Sequence, residues 1–508
     1  MDVEQLKEDV RTGVIPLDRV FSVIATLARE LQSVKQELEE AKRLIIDLKQ
    51  RPDNSPSARP SEPFSVRAEE QRQEARGKKR KRKQRSRGGR KRTAEKVAQA
   101  VRTEKVFPAG VPEADCWLSH TRAVWRVENG QAVLVAYEIY RGPNNRYGKI
   151  PGVLGRGEFG IEIVLAIAYQ VYIVGLSFDK ACLLMNFFQS LNLRKSQAEA
   201  LMKRLARQWE AEFDVLCMLL ANSLVVHTDE TGWSIQSVWA FLSEKVRVIF
   251  FGVPKDAKTL EQILDPATFG GILISDDAAV YANFTQAQKC WAHLLRKAIK
   301  LTLLEPTNAE YRRFTDRLLE IYHEACRVQR DKRLSPAGRA EKVGALNDEV
   351  LELCVDMWVE QLPPGEGPED QYRRLCNELM RLLLARQLFT FVTAAPVAKP
   401  NGEMTTVSGT NNEAERTLRS PAQARDTGRT NKTPVGARRQ TVIVSVLESL
   451  RQYLSAFTLS NVIKEVGHWL QAGRSCFARL AAKLGLTEGQ SQANGPSLLD
   501  RVLPVPDG

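Results

Sequence analysis

Cysteine is scarce in this chain: there are eight in 508 residues, scattered, and no two stand in a C-x-x-C pair. A structural zinc site needs about four ligands and commonly draws them from such pairs, so no structural zinc is expected. The scatter also excludes a disulfide framework and reads as reduced thiols in a cytoplasmic protein. Long apolar runs are lacking as well. The longest, residues 163–176, has 14 residues and is interrupted by Gln170, whereas a bilayer span needs about 20. The opening Met1-Asp2-Val3-Glu4 has none of the basic-then-apolar character of a signal peptide. No membrane partner is therefore expected. With 43% hydrophobic and 27% charged residues, the chain has the composition of a globular protein, and its length predicts about three domains.

Acid is missing from one segment in particular. Residues 76–92 hold 12 Lys or Arg and no Asp or Glu, so all but one of the 13 net positive charges lie in this block. Such a run is too self-repulsive to fold alone. Lys78, Lys79, Arg80, Lys81, Arg82, Lys83, Arg85, Arg87, Arg90, Lys91 and Arg92 read as a disordered arm that neutralises DNA phosphates without reading sequence. Double-stranded DNA is thus the expected partner, and a nucleoid-associated location follows. Ahead of the arm, Val20, Ile24, Leu27, Leu31, Val34, Leu38, Ala41, Ile45 and Leu48 alternate spacings of four and three, the seam of a self-associating coiled coil. Pro52, Pro56, Pro60 and Pro63 then mark a linker.

Three acids stand out further along. Asp229 and Asp276 close the β-branched runs Val225-Val226-His227-Thr228 and Ile272-Leu273-Ile274-Ser275, and Glu415 lies in Asn411-Asn412-Glu413-Ala414-Glu415-Arg416, which reads as a helix start. Strand-like runs at 224–228, 237–242, 246–253 and 272–275, with a helix over 256–264, predict a β-β-β-α-β order. Carboxylates gathered from two strand tips and a helix can hold two divalent ions about 3.5–4 Å apart, the clamp used on a phosphodiester. That order is the layout of an RNase H-like core. Between Asp276 and Glu415, apolar residues recur at three and four (Phe314, Leu318, Ile321; Val343, Leu346, Val350, Leu353; Leu375, Leu379, Leu382), which predicts an α-helical insertion. Neighbours in a strand face opposite ways, so only one of Asp229 and Glu230, and one of Asp276 and Asp277, can serve such a site.

The strings His227-Thr228-Asp229-Glu230-Thr231-Gly232-Trp233, Cys290-Trp291-Ala292-His293 and Asn411-Asn412-Glu413-Ala414-Glu415-Arg416-Thr417-Leu418-Arg419, with Arg438-Arg439-Gln440-Thr441-Val442-Ile443-Val444-Ser445, resemble the insertion-sequence 66 family of bacterial DDE transposases over residues 155–460. The resemblance implies Asp229, Asp276 and Glu415 as catalytic residues and as ligands of two Mg²⁺ ions, with Mn²⁺ as a substitute. It also implies small accessory proteins of the same element. In the family pattern the second acid stands five residues before a Tyr, and Tyr281 selects Asp276. The chain departs from the family in lacking a cysteine-rich zinc ribbon. It also carries Arg425-Asp426-Thr427-Gly428-Arg429 where Arg-Lys-Asn-Trp is usual, a change that bears on DNA contacts and not on the metal ligands.

Other residues admit two readings. Cys290 and His293 are either packed structural residues or auxiliaries that orient an active-site carboxylate or DNA. Arg416 and Arg419 either hold phosphate oxygens or form a charged helix face. Helical signals over 178–189, and over a second helix opened by Ser196 and Glu199, are either a helix-turn-helix or two packed helices. The expected fold is an α/β RNase H-like catalytic core, a mixed sheet with flanking helices, interrupted by an α-helical insertion and preceded by the coiled coil and disordered basic linker. The expected divisions are coiled coil 1–50, linker and arm 51–100, a small β-rich segment 101–160, helices 161–220, the first part of the core 221–300, the insertion 301–405, the last part of the core 406–475, and a tail 476–508. The expected activity is that of a polynucleotidyl transferase: metal-dependent DNA cleavage and strand transfer of an insertion element. Its rivals are an RNase H-like nuclease without strand transfer, and an inactive or repurposed transposase that only binds DNA.

Overall fold

The computed structural model describes residues 89–361, 364–486 and 497–504, with the isolated positions Thr12, Ala25, Gln32, Lys35, Gln36 and Glu39. The nine seam residues between 20 and 48, the Pro/Ser linker and the arm positions Lys78 to Arg87 lie outside the described residues. Arg90, Lys91 and Arg92 fall in helix α1 (Gly89–Ala98). That helix is tied to the following sheet region by Lys96 to Glu158 at 2.7 Å. Charge density hid the Ala94-Glu95-Lys96-Val97-Ala98 stretch, whose residues are good helix formers.

Strands β1 (Arg102–Val106), β2 (Trp117–Glu128) and β3 (Gln131–Arg141) form a small sheet in the order β1-β3-β2. The β2–β3 turn is Asn129-Gly130, both at positive φ, as a two-residue hairpin requires. Helices α2 (Ile161–Ala168), α3 (Phe178–Gln189) and α4 (Lys195–Ala221) follow. Helix α4 is capped differently from expectation. It begins at Lys195, where the Arg194 backbone N–H donates to Gln197 Oε1 at 3.0 Å, so Ser196 lies within its first turn. Its face of Leu201, Leu205, Trp209, Phe213, Leu216 and Leu220 is buried in the main core.

The central sheet has five strands, β4 (Val225–Gly232), β5 (Ser237–Ser243), β6 (Arg247–Val253), β7 (Ile272–Ser275) and β8 (Ala287–Lys289), in the order β6-β5-β4-β7-β8. The β6-β5-β4 part is antiparallel and β4-β7-β8 is parallel. Helix α5 (Ala257–Ile263), capped by Asp256 accepting from the Thr259 N–H at 2.7 Å, makes the crossover to β7. One face of the sheet presents Val226, Trp239, Phe241, Phe250 and Leu273 to the main core. The other presents Val225 and Ile274 to a second core, and Val238, Ala240 and Ile249 to a third.

Helices α6 (Trp291–Leu304), α7 (Ala309–Arg330), α8 (Pro336–Cys354), α9 (Pro368–Leu384) and α10 (Thr390–Thr393), then the hairpin β9 (Val397–Ala398) and β10 (Met404–Thr405), fill the region that includes the expected insertion, 301–405. The expected periodic residues are its core: Phe314, Leu318, Ile321, Leu346, Val350, Leu375, Leu379 and Leu382 are buried together, with Val343 and Leu353 packed against them. Helices α11 (Asn412–Asp426), α12 (Pro434–Tyr453), α13 (Leu459–Ala472), α14 (Cys476–Lys483) and α15 (Leu498–Val502) complete the chain. In the described part of the C-terminal segment, Phe477, Ala481, Leu499 and Val502 enter the main core. Each of these helices is too short to show a period in sequence. No helix among the described residues is long and apolar enough to cross a membrane.

Strand β6 is an edge, and its free backbone groups would be an invitation to aggregate. Helix α12 closes it. The N–H groups of Phe251, Ile249 and Arg247 donate to the hydroxyls of Thr441, Ser445 and Ser449 at 3.0, 2.9 and 3.0 Å. The Ser445 and Ser449 hydroxyls donate back to the Ile249 and Arg247 carbonyls at 3.3 and 3.0 Å. The spacing of four puts the three hydroxyls on one helical stripe, matched to alternate strand residues. Gly252, at φ 76°, lets the helix approach: a Cβ there would stand 3.0 Å from that of Ala437. Ser445→Ala strands a buried N–H and a carbonyl together, and should cost roughly 1–3 kcal/mol in chemical denaturation. A variant as stable as the parent would show that the ladder does not hold the edge.

Candidate active site

Asp229 is not at the end of its strand. Antiparallel pairing with β5 continues through Asp229 opposite Ala240 to Gly232 opposite Ser237. Parallel pairing with β7, by contrast, stops at His227 opposite Ile274. Two residues further in that register, Asp229 comes level with Asp276, just beyond the β7 end at Ser275. The acid is thus at a tip with respect to one neighbour only. Alternation puts Asp229 on the face of Ala240 and Ile249, the same face that Leu418 of α11 covers. Glu230 takes the opposite face, with Trp239 beside it.

Glu415 reaches that face from the first turn of α11. The residue before the helix, Asn411, is fully buried and donates its side-chain N–H to the Thr228 carbonyl at 2.7 Å, one residue from Asp229. The start of α6 is pinned alongside: the Cys290 N–H donates to the Ser275 carbonyl at 2.9 Å, and the Trp291 N–H to the Gly409 carbonyl at 3.0 Å. Backbone contacts therefore bring together the ends of β4, β7, α6 and α11, four segments far apart in sequence.

The neighbouring acids differ in how their charge is met. Glu230 is buried, with Lys255 Nζ on Oε1 at 2.8 Å and the Tyr281 hydroxyl donating to Oε2. Asp277 pairs with Arg381 of the insertion. Asp229 and Asp276 have no ion-pair partner among the described residues. Asp229 accepts only the Glu230 N–H at 2.9 Å, and the Asp276 carboxylate only the Ala278 N–H at 3.1 Å. Burial first, and then the charges of Glu230, Asp276 and Glu415, push the Asp229 carboxyl up to about 7. Lys289, buried and lowered from its ordinary value by that burial, donates to the Asp276 carbonyl at 3.1 Å and holds the turn after β7.

Glu415 receives Arg296 at 2.9 and 3.1 Å, and His293 Nδ1 stands 3.6 Å from its Oε1. The structure thus brings Cys290 and His293 to Glu415, their ligand atoms all lying within 4.8 Å of one another. Arg416 and Arg419 are exposed, and Arg416 lines an open cleft of about 470 Å³ with His227, Arg247, Asn412 and Glu413. Arg425 leans on the end of β4, 3.4 Å from the Gly232 carbonyl, and Asp426 pairs with it at 3.1 Å. Arg296 and Lys255 lie away from their acids in the chain, and nothing in the local pattern of either marks it; Asn411 opens the string that holds Glu415, but its bond to Thr228 has no signal there.

Two strands and a helix of a mixed α/β fold thus present carboxylates at one end of a sheet, an oxygen-donor set of the kind hard divalent cations take. The family model described as Transposase IS66 family matches residues 156–439, more than half of the chain, and the protein belongs to that family. Transposition is the class of function that membership brings, with DNA as partner. A search of curated proteins finds no match.

The raised Asp229 carboxyl has a sign that can be tested. Between pH about 4, where an unfolded Asp titrates, and pH about 7, the folded chain keeps a proton that the unfolded chain has released. Stability without divalent ions should therefore fall as pH rises through that window. In chelator, Asp229→Asn should melt above the parent at pH about 8, and the gap should close below pH about 4. A constant gap across that range would mean that Asp229 ionises normally.

Proposed function

We propose that this protein is a DDE transposase that cuts and rejoins the DNA of an insertion element, with Asp229, Asp276 and Glu415 as one metal-binding site for two Mg²⁺ ions, Mn²⁺ substituting. The observation that carries this is the contrast in compensation. Glu230 and Asp277 are neutralised by protein cations, while Asp229 and Asp276, level with each other on the sheet, are left without one. Uncompensated buried carboxylates are costly unless a cation joins them. The sheet order, three antiparallel strands followed by two parallel ones, supports an RNase H-like core.

Bound at this site, the two ions would activate the attacking oxygen and stabilise the leaving oxygen of a phosphodiester. The protein's own groups do the rest. Lys255 and Tyr281 hold Glu230 on the far face of the sheet. Asn411 fixes the start of α11 so that Glu415 faces Asp229, and Arg296 orients its carboxylate. Arg416 and Arg419, exposed on the same helix, hold phosphate oxygens of the strand being cut. Residues 76–92 add sequence-independent affinity for DNA, and the seam of residues 20–48 brings two chains, and so two DNA ends, together.

Asp229→Asn, Asp276→Asn and Glu415→Gln should each lower strand cleavage by roughly 10³-fold or more while DNA binding persists, since several kcal/mol of transition-state stabilisation is lost. Asp277→Asn should act mildly. A dead Asp277→Asn beside an active Asp276→Asn, in a cleavage assay on element-end DNA, would move the second ligand by one position. Deleting residues 76–92 should weaken binding to every duplex and flatten the dependence of log affinity on log salt. Equal salt slopes with and without the arm would refute its role.

A further inference from the structure

The Cys290, His293 and Glu415 cluster is not needed to explain the carboxylate site, and its donor set is of a different kind. Cys290 caps the N-terminus of α6, His293 follows three residues later on the same side of the helix, and Glu415 comes from α11. The thiol sulfur, a ring nitrogen and a carboxylate oxygen all lie within 4.8 Å of one another. His293 Nδ1 is shielded from solvent and has no hydrogen-bond partner. Its distance to Glu415 Oε1, 3.6 Å, is too long for a hydrogen bond. That spacing suits a shared cation: two ligand atoms each about 2.0–2.2 Å from one tetrahedral ion stand roughly 3.3–3.6 Å apart. Arg296 donates to both carboxylate oxygens, to Oε2 at 2.9 Å and to Oε1 at 3.1 Å, so a cation on Oε1 takes over the longer of the two contacts. Burial pushes the Cys290 thiol up, and the Asn411 backbone N–H, donating to Sγ at 3.1 Å, partly offsets it and fixes the sulfur in place.

We propose that Cys290 Sγ, His293 Nδ1 and Glu415 Oε1 bind a soft divalent cation of the zinc class, and that its binding withdraws Glu415 from the carboxylate site and inhibits DNA cleavage. The inhibitory half rests on the catalytic reading above; the binding half does not. Thiolate and imidazole prefer zinc-like ions, whereas Mg²⁺ keeps to oxygen, so the two kinds of ion meet only at Glu415. As the sulfur–metal bond forms, the thiol proton passes to solvent. Three protein ligands leave a fourth position to water. The site is therefore an exchangeable one, distinct from the closed four-ligand structural zinc that the cysteine spacing excludes.

Cobalt(II), which reports thiolate ligation by its charge-transfer absorption, is the probe. Titrated into the full chain free of other metals, it should give that band at one equivalent, and Zn²⁺ should remove it. The band should be lost in Cys290→Ser and kept in Cys326→Ser. His293→Gln, which leaves the packed sulfur in place, should weaken cobalt binding by about 10-fold or more. With Mg²⁺ held constant, Zn²⁺ should inhibit cleavage by the parent, and a zinc-selective chelator should restore it. A band that survives both Cys290→Ser and His293→Gln, or full cleavage at zinc concentrations that saturate the cobalt-competing site, overturns the proposal. Absence of cleavage in every metal would count against the catalytic reading alone, and the cobalt spectra would still decide the site.

Discussion

The structure turns on a single buried amide. Asn411 donates its side-chain N–H to the Thr228 carbonyl across 183 residues of chain, and so fastens the helix that carries Glu415 to the strand that carries Asp229. A buried hydrogen bond of this kind contributes only about 1 kcal/mol net, but leaving its partner unmet costs more. Its consequence is geometric: where α11 begins, and which way its first turn faces, follow from it. The long insertion is compatible with this because loop-closure entropy grows slowly with length, provided the ends return to the same place. They do. The Lys289 N–H meets the Gln387 carbonyl at 2.9 Å, and the buried side chain of Gln288 donates to the Leu388 carbonyl and accepts the Phe391 N–H, both at 2.9 Å. Between those staples the helices pack on an apolar core that they share with Val225 and Ile274 of the sheet.

Held this way, acids that repel one another are kept close. The elevation of Asp229 records the cost, and its largest cause is burial rather than the neighbouring charges. Stability is given up at the place where function needs charge, as is common at functional sites. The stability is recovered elsewhere. The hydroxyl ladder of Thr441, Ser445 and Ser449 seals the edge of the same sheet, so β6, β5 and β4 form a stiff platform under Asp229.

Much of this was legible in the sequence, for identifiable reasons. Four of the five central strands are continuous β-branched or aromatic runs, and the insertion helices carry strong apolar periods, so burial itself wrote both patterns. The acids could be singled out because they end such runs. What escaped notice was short or conveyed by distant partners. Strand β8 has three residues, Ala287–Lys289, below any detectable period. The ladder hydroxyls look like ordinary polar positions on a helix, and only the unsatisfied edge of β6 gives them meaning. Lys255 and Arg381, which meet the charges of Glu230 and Asp277, lie away from those acids in the chain, and nothing in their local strings marks them. Cys290 and His293 admit two readings in sequence because Glu415, the residue the fold brings to them, comes from another element more than a hundred residues away.

The central claim is that carboxylates from β4, the end of β7 and α11 act together on divalent cations. Anomalous diffraction from crystals of the full chain grown with Mn²⁺ tests it most directly. The account predicts two manganese peaks about 3.5–4 Å apart, enclosed by Asp229, Asp276 and Glu415, with Glu230 still on Lys255 and Tyr281. Manganese bound at Glu230 or Asp277, or Asp229 and Asp276 left without an ion at saturating Mn²⁺, would contradict it.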